Sequence, residues 1–442
     1  MRATLLPCVF LAIPLAFPCQ EDDPRVRWLS EQTVAVRTIE PTPGEAGDDF
    51  ADLMPLLELI GDARVVGLGE QTHGDGATFH AKARLVRFLH EVMDFDVLVW
   101  ESGLFDCAQV EEALRAGTPM REAWRKGIFG VWGASSEVQP VFDYVDATRA
   151  KGDPLEIAGL DAQFTSGETL AALRTFLEEL DESAGHPEDL ALAFEAIDYY
   201  LERTGAGGGA RPTEEDWFAC DESIHALREA LEAPAGPFAR IAPGERSFLD
   251  RALRNLNAMA EMIRAAPSNM QRYAAIRETA MADTLIWLAQ EHYPDRRLIV
   301  WAASSHLTYG SRTVEMPTEE GGWALDDGAW EPMGNRVREV FGDDLYVIDF
   351  LAYDGETGTA LGGARSPLEP AAAGTLDALC HATGRPYLFM DLRTLSASEG
   401  GAWLGERLVA RPRGYVPMRA VWGQVCDAFF FTDRMFPSSP VR

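Results

Sequence analysis

The sequence predicts an α/β protein, with a parallel or mixed central sheet flanked by helices and interrupted by a helical insertion. Three observations carry that prediction. Apolar runs of strand length end in polar residues at VVGLGE, FDVLVWE, LEIAGLDAQ and LIVWAASSH. Between them, apolar residues recur at helical spacing, as in Phe79, Ala83, Val86, Leu89 and Met93. A strand, a helix and a second strand fit between Val65 and Glu101, about the length a parallel crossover needs. Such a unit places the carboxyl ends of its strands on one edge of the sheet.

Taken in order, the chain opens on MRATLLPCVFLAIPLAFPCQ, residues 1–20, where one Arg precedes an apolar run too short to span a bilayer. This reads as a secretory signal, since prolines at 7, 14 and 18 would break a core helix. Export to a periplasmic or extracellular space is the expectation. Cys19 would allow a lipidated N-terminus, although Ala16, Phe17 and Pro18 do not put a small residue beside it. From Asp22 to Pro55 the polar, Pro-containing stretch reads as a tether, with a first helix over Leu53 to Ile60. The α/β core is expected over 21–164 and 275–442.

Within the core, Val65–Leu68 reads as a buried strand closed by glycines, with Asp75 or Thr72 as N-cap of the helix that follows. After Glu101 come a helix around Cys107 to Leu114, a loop GIFGVWGAS, a helix over Val138 to Lys151 and a strand that ends at Asp161 and Gln163. Residues 165–274 differ in texture: LAALRTFLEEL and FLDRALRNLNAMAEMI are helical, and GAGGGARP separates them. A solvated helical surface is the plain reading of this insertion, and a lid over strand ends the functional one. The α/β pattern resumes with helix RETAMADTLIWLAQEHY and strands RRLIVWAASSH, LYVIDFLAY, PYLFMDLR and CDAFFFTD. Between His306 and Leu345 an excursion containing Trp323 and Trp330 is a candidate substrate wall.

Composition excludes some functions. The chain of 442 residues carries 39 basic and 70 acidic side chains, net −31, which disfavours a phosphate-backbone partner such as nucleic acid. No segment after the leader has an apolar run of membrane length. Cys107, Cys220, Cys380 and Cys426 are scattered without the spacing of a zinc site, and spacing does not decide whether a disulfide forms. Neither a GxSxG elbow, a phosphate-cradling loop nor a dinucleotide fingerprint is present, so serine-triad chemistry is disfavoured.

The chemistry concentrates on RVVGLGEQTHGDGATFH, where Glu70 and His73 stand three apart at a strand end. Four apolar runs end in Glu70, Glu101, Asp161 and His306, and ligands of open parallel sheets bind outside the carboxyl ends of strands. Any one of these polar groups alone is more simply a helix cap or a satisfied structural polar group; four together point to a site. An imidazole with an ordinary pKa near 6.5 takes a proton from water, and a carboxylate beside it fixes its tautomer. His73 is therefore the candidate general base, Glu70 and Glu101 its orienters and His306 a second acid/base group. Lys82, Asp161, Arg277 and His80 are candidate substrate-binding residues, Lys82 or Arg277 for a developing oxyanion and His80 if the helix starts early enough to share a face with His73.

At these residues the sequence resembles the erythromycin esterase family. GLGEQTHGDGATFHAKARLVRFL is similar to that family's GxGExTHG signature, and Glu101, RETAMADTLIWL, VWAASSH, EPMGNRVREVFGDDLYVIDF and DAFFFTDR follow in its order, over about residues 55 to 434. The resemblance implies an α/β core unrelated to serine hydrolases, in which the signature His activates water to open a macrolide lactone. It places the signature Glu on Glu70, the base on His73, a basic helix residue on Lys82 and the next acid on Glu101. The family's W-A-H-x-x-H has Ala303 at its first His here, and His306 at its second. The reading is then an exported hydrolase of a small-molecule ester or lactone that needs no cofactor. Two alternatives stand beside it: a divalent metal held by Glu70, His73, Glu101 and His306 that activates the water, and a non-catalytic binding protein that keeps the pocket.

Overall fold

Leu98 and Trp100 face one side of the sheet, and Val97 and Val99 face the other; all are buried. Burial on both faces is what a parallel sheet between two helical layers imposes. The structure, a computed structural model, describes residues 23–41, 48–164, 175, 213–233, 238–239, 241–326, 331–362 and 365–441. The expected leader, residues 1–20, lies outside them.

The described strands are β1 (Val34–Ala35), β2 (Val65–Leu68), β3 (Val97–Gly103), β4 (Glu156–Asp161), β5 (Leu298–Trp301), β6 (Glu315–Pro317), β7 (Trp323–Leu325), β8 (Leu345–Thr357), β9 (Ser366–Leu368), β10 (Tyr387–Asp391), β11 (Leu408–Ala410), β12 (Met418–Ala420) and β13 (Ala428–Met435). The main sheet runs β1-β10-β13-β8-β2-β5-β3-β4, with β9 paired to the end of β8. From β13 to β4 every pairing is parallel, whereas β10, β1 and β9 pair antiparallel. The fold is thus mixed α/β with helices on both faces. β5 lies between β2 and β3, so the crossover from β2 skips one strand and leaves a slot that is filled some 200 residues later.

The longer helices are α1 (Pro24–Gln32), α2 (Pro55–Ile60), α3 (Gly76–Met93), α4 (Leu104–Arg115), α5 (Gln139–Lys151), α6 (Glu214–Glu232), α7 (Pro243–Ala265), α8 (Met270–Trp287), α9 (Met333–Phe341) and α10 (Leu376–Ala382). Phe79, Val86 and Leu89 of α3 pack with Val110, Phe142, Trp100 and Trp301 on one face. Met281, Leu285, Val337 and Leu379 pack with Val99, Val300 and Val347 on the other. A third cluster joins Trp217 and Ile224 of α6 and Leu249, Leu253 and Leu256 of α7 to Phe105, Ala162 and Phe164, at the carboxyl end of β4.

One expectation is corrected here, and two are given structural detail. The supposed tether holds α1, capped by Asp23 and docked through Val26 and Leu29, and β1, which pairs with β10. The boundary at residue 274 falls inside α8, which begins at Met270 and runs on to Trp287. The excursion after His306 contains β6 and β7, which join β11 and β12 in a separate four-stranded sheet; Trp330 lies outside the described residues. LAALRTFLEEL, apart from position 175, and GAGGGARP also lie outside them. Cys107, Cys380 and Cys426 are buried free thiols. Among the described residues no helix is long and apolar enough to cross a membrane.

Candidate active site

Strand register brings the polar residues level. Leu68 pairs with Trp301 and Ile348, and Trp100 pairs with Trp301, so these four form one row across β8, β2, β5 and β3. One residue further along, the row becomes Asp349, Gly69, Ala302 and Glu101. The pairing continues past the strands: Gly69 N donates to Ile348 O at 2.9 Å and Ser304 N to Glu70 O at 3.0 Å. Gly69 is required by crowding, because a Cβ there would lie 2.7 Å from Ser304 Oγ and 2.9 Å from Asp349 Oδ1. On β3 the register slips between Trp100 and Gly103, and the irregularity falls on the segment that carries Glu101.

Glu70 is fully buried and has four contacts. His73 Nδ1 lies 2.8 Å from its Oε1 and the Trp132 indole N–H donates to the same oxygen at 2.9 Å. Lys82 Nζ donates to Oε2 at 2.6 Å and is capped by the Trp301 ring, whose centroid is 4.3 Å away. Ser304 N, as above, holds the Glu70 main chain. Burial alone would raise the Glu70 pKa, but Lys82 and His73 outweigh it and hold the carboxyl below its ordinary value. His73 packs edge-on against Trp132, ring centroids 5.1 Å apart, and its side chain keeps 39% exposure. Burial pulls its pKa down, while Glu70 and then Glu101 pull harder, so the net direction is up.

A second group faces it. His306, on the one-turn helix Ser304–Leu307 after β5, has Nε2 3.1 Å from Glu101 Oε1 and Nδ1 2.5 Å from Glu278 Oε1. Arg277 Nη2 reaches Glu101 Oε1 at 2.9 Å and Asp161 Oδ2 at 2.5 Å. Glu101 Oε2 accepts from Ala303 N at 2.8 Å, and Glu278 Oε2 accepts from Met333 N at 2.8 Å. Burial opposes the charge on Glu101, yet His306 and Arg277 hold its carboxyl far below the usual carboxylate range. For His306 the desolvation penalty is overcome by Glu101 and Glu278, and its pKa is pushed up to about 10. His73 feels both Glu101 and His306, so the two groups share one electrostatic environment.

Of the candidate residues, Glu70, His73, Glu101, Asp161, Arg277 and His306 therefore stand at one sheet edge. Lys82 does not face outward: its side chain is fully buried and its ammonium is already taken by Glu70 and Ala302 O, so its part is to orient Glu70. His80 does not join the group. α3 starts at Gly76, so His73 precedes it and the two imidazoles do not share a helix face; the His80 ring packs edge-on against Phe436, centroids 5.4 Å apart. Asp75 holds the N-cap position without capping, since its Oδ2 turns back to accept from Thr72 N at 2.7 Å.

Among the described residues, Glu70, His73, Glu101 and His306 do not bring three ligand atoms within 4.8 Å of one another; the acids are taken up by Lys82, Arg277 and imidazole nitrogens. The cluster that does gather, Asp48, Asp49 and Asp52, is bound to Arg84 and Arg37.

Sequence reading missed Trp132 and Glu278. Trp132 belongs to the Gly- and Trp-rich loop already noted, and Glu278 sits beside Arg277 with no pattern of its own.

Fold and site together define an α/β protein with two histidine–carboxylate pairs at the carboxyl edge of its sheet. The chain belongs to the erythromycin esterase family, whose model matches residues 90–434. It is 24% identical over 406 residues to a putative hydrolase of Bacillus subtilis, YbfO, covering 88% of each chain. It is 23% identical over 349 residues to an erythromycin esterase type II of Escherichia coli, covering 75% of this chain and 77% of that one. Among solved structures, a Bacillus cereus protein superposes with a TM-score of 0.73 at 17% identity, over 95% of this chain and 98% of that one. A mutant of the erythromycin esterase EreC in its open conformation gives 0.64 at 16% identity, over 91% and 97%. At such identities the structural likeness speaks for the fold.

Proposed function

We propose that the chain is an exported hydrolase of carboxylic esters or lactones, with His73 as general base. The observation that carries this reading is an imidazole anchored by Nδ1 to a buried carboxylate at 2.8 Å while its side chain stays open to solvent. With Nδ1–H donated to Glu70, Nε2 takes a proton from water, and the water oxygen bonds to the acyl carbon. Collapse of the tetrahedral adduct breaks the C–O bond, and His73 returns the proton to the leaving alkoxide. Arg277 and His306 supply the positive charge on the Glu101 side, where the oxyanion would form.

Ala303 in place of the family's first histidine makes macrolides one arm of the test and simple esters the other. Purified protein is incubated with a macrolide and with simple alkyl esters, and products are followed by mass. Turnover of at least one substrate, abolished by His73→Ala, is expected. Ligand-induced thermal stabilisation with no product from any ester would defeat the reading in favour of a binding protein.

A further inference from the structure

Every cation of the site described so far has its charge answered. Lys82 lies against Glu70, Arg277 against Asp161 and Glu101, and His306 against Glu101 and Glu278. Arg413 differs. Among the described residues no carboxylate stands within ion-pairing distance of it, and its Nε and Nη2 are shut off from solvent with no hydrogen-bond partner. Sealing two guanidinium nitrogens away without partners is costly, and burial indeed pulls the Arg413 pKa down against Asp349 and Asp326.

Its place is the same sheet edge. Arg413 lies on the connection between β11 and β12, and the next residue, Gly414, donates its N–H to Gln71 O at 2.9 Å, between Glu70 and His73. The acid that its charge feels first is Asp349, level with Gly69 in the strand register. Asp349 is fully buried; Ser304 Oγ bonds its Oδ1, while Oδ2 has no partner. Arg413 thus carries an unmatched donor pair next to the residue that bonds the Glu70–His73 loop, and Asp349, whose charge it feels, carries an unmatched acceptor without the two bonding each other. A ligand carboxylate would fill the need of Arg413, whose fork matches two carboxylate oxygens.

We propose that Arg413 binds a carboxylate carried by the substrate, so that the esters or lactones this site takes are acidic ones. The inference rests on the hydrolase reading and narrows it. The test compares kcat/KM for monoethyl adipate and diethyl adipate, and thermal stabilisation by adipate at constant ionic strength, in wild type, Arg413→Gln, Asp349→Asn and His73→Ala. Wild type is expected to favour the acidic monoester by about tenfold or more, the margin a charge-assisted pair supports. Arg413→Gln removes that preference through KM, adipate stabilises wild type and His73→Ala but not Arg413→Gln, and Asp349→Asn binds adipate more tightly. Equal kcat/KM for the two esters in wild type, or a preference that survives Arg413→Gln, overturns the assignment. If neither adipate ester nor any macrolide or simple alkyl ester is turned over while adipate still stabilises wild type and not Arg413→Gln, the hydrolase reading fails and the carboxylate site stands. Should Arg413→Gln not fold, Asp349→Asn decides: tighter adipate binding supports the proposal, and unchanged or weaker binding overturns it.

Discussion

At His73 two opposed forces set the working pH. Burial disfavours the imidazolium, Glu70 and Glu101 favour it, and the balance lies above the ordinary value of 6.5. A general base acts when neutral, so kcat/KM should rise with pH as this proton leaves, with a midpoint above 6.5 and no falling limb from this group. Glu70→Gln removes the nearest charge that holds the proton. The midpoint is then expected to move to lower pH and the plateau to drop, because the amide no longer stabilises the imidazolium formed during the reaction. A pH profile of kcat/KM for any ester turned over reads both effects; a midpoint that ignores Glu70→Gln would deny the coupling.

At the scale of elements, the site depends on pieces that local pattern does not advertise. Trp132 rides on the one-turn helix Gly130–Gly133 between α4 and α5, and its N–H shares Glu70 Oε1 with His73. Trp132→Phe keeps most of the ring packing and deletes that donor. Charge on Oε1 then falls more fully on His73, so the midpoint of the kcat/KM profile should shift to higher pH, opposite to Glu70→Gln, while kcat drops severalfold. Unchanged values would mean the indole only packs. Glu70, Glu101 and Asp161 were legible because each directly follows or ends an apolar run, where the strand carries its polar end to the sheet edge, and His73 because it stands three residues after Glu70. Trp132 was not, since it reaches Glu70 across 62 residues of chain through loop packing. Nor was α1, in which Val26 and Leu29 are the buried residues and too few to make a periodic signal. The slot taken by β5 between β2 and β3 is likewise silent in sequence, because strand order is decided by which crossovers pack and no local spacing encodes it. Lys82 was read correctly as a cation near the motif and wrongly as one facing a ligand: its helix position was visible, but the Trp301 floor that shuts it in was not.

Over the whole molecule, His306 ties together three parts that are distant in sequence: β3 through Glu101, α8 through Glu278 and the turn after β5 on which it sits. Its folded-state pKa is about 10, against 6.5 for an ordinary imidazole. A raised pKa means that the folded state binds the proton more tightly, so the stabilisation is complete below 6.5 and drains away as pH climbs towards 10. His306→Gln should therefore cost about 3–5 kcal/mol at pH 6, where it leaves two buried carboxylates facing a neutral amide, and much less at pH 10. Absolute stability is a poor readout, since a net charge of −31 makes self-repulsion grow with pH in every variant. The difference between wild type and mutant in urea unfolding at the two pH values cancels that background. Hydrogen exchange then locates the effect: at pH 6 the amides of α8 should exchange faster in the mutant, while those of β2 and β5 keep their protection because the sheet core does not depend on this link. A deficit of equal size at both pH values would show that the ring serves by shape alone and that its proton does not hold α8 to the sheet.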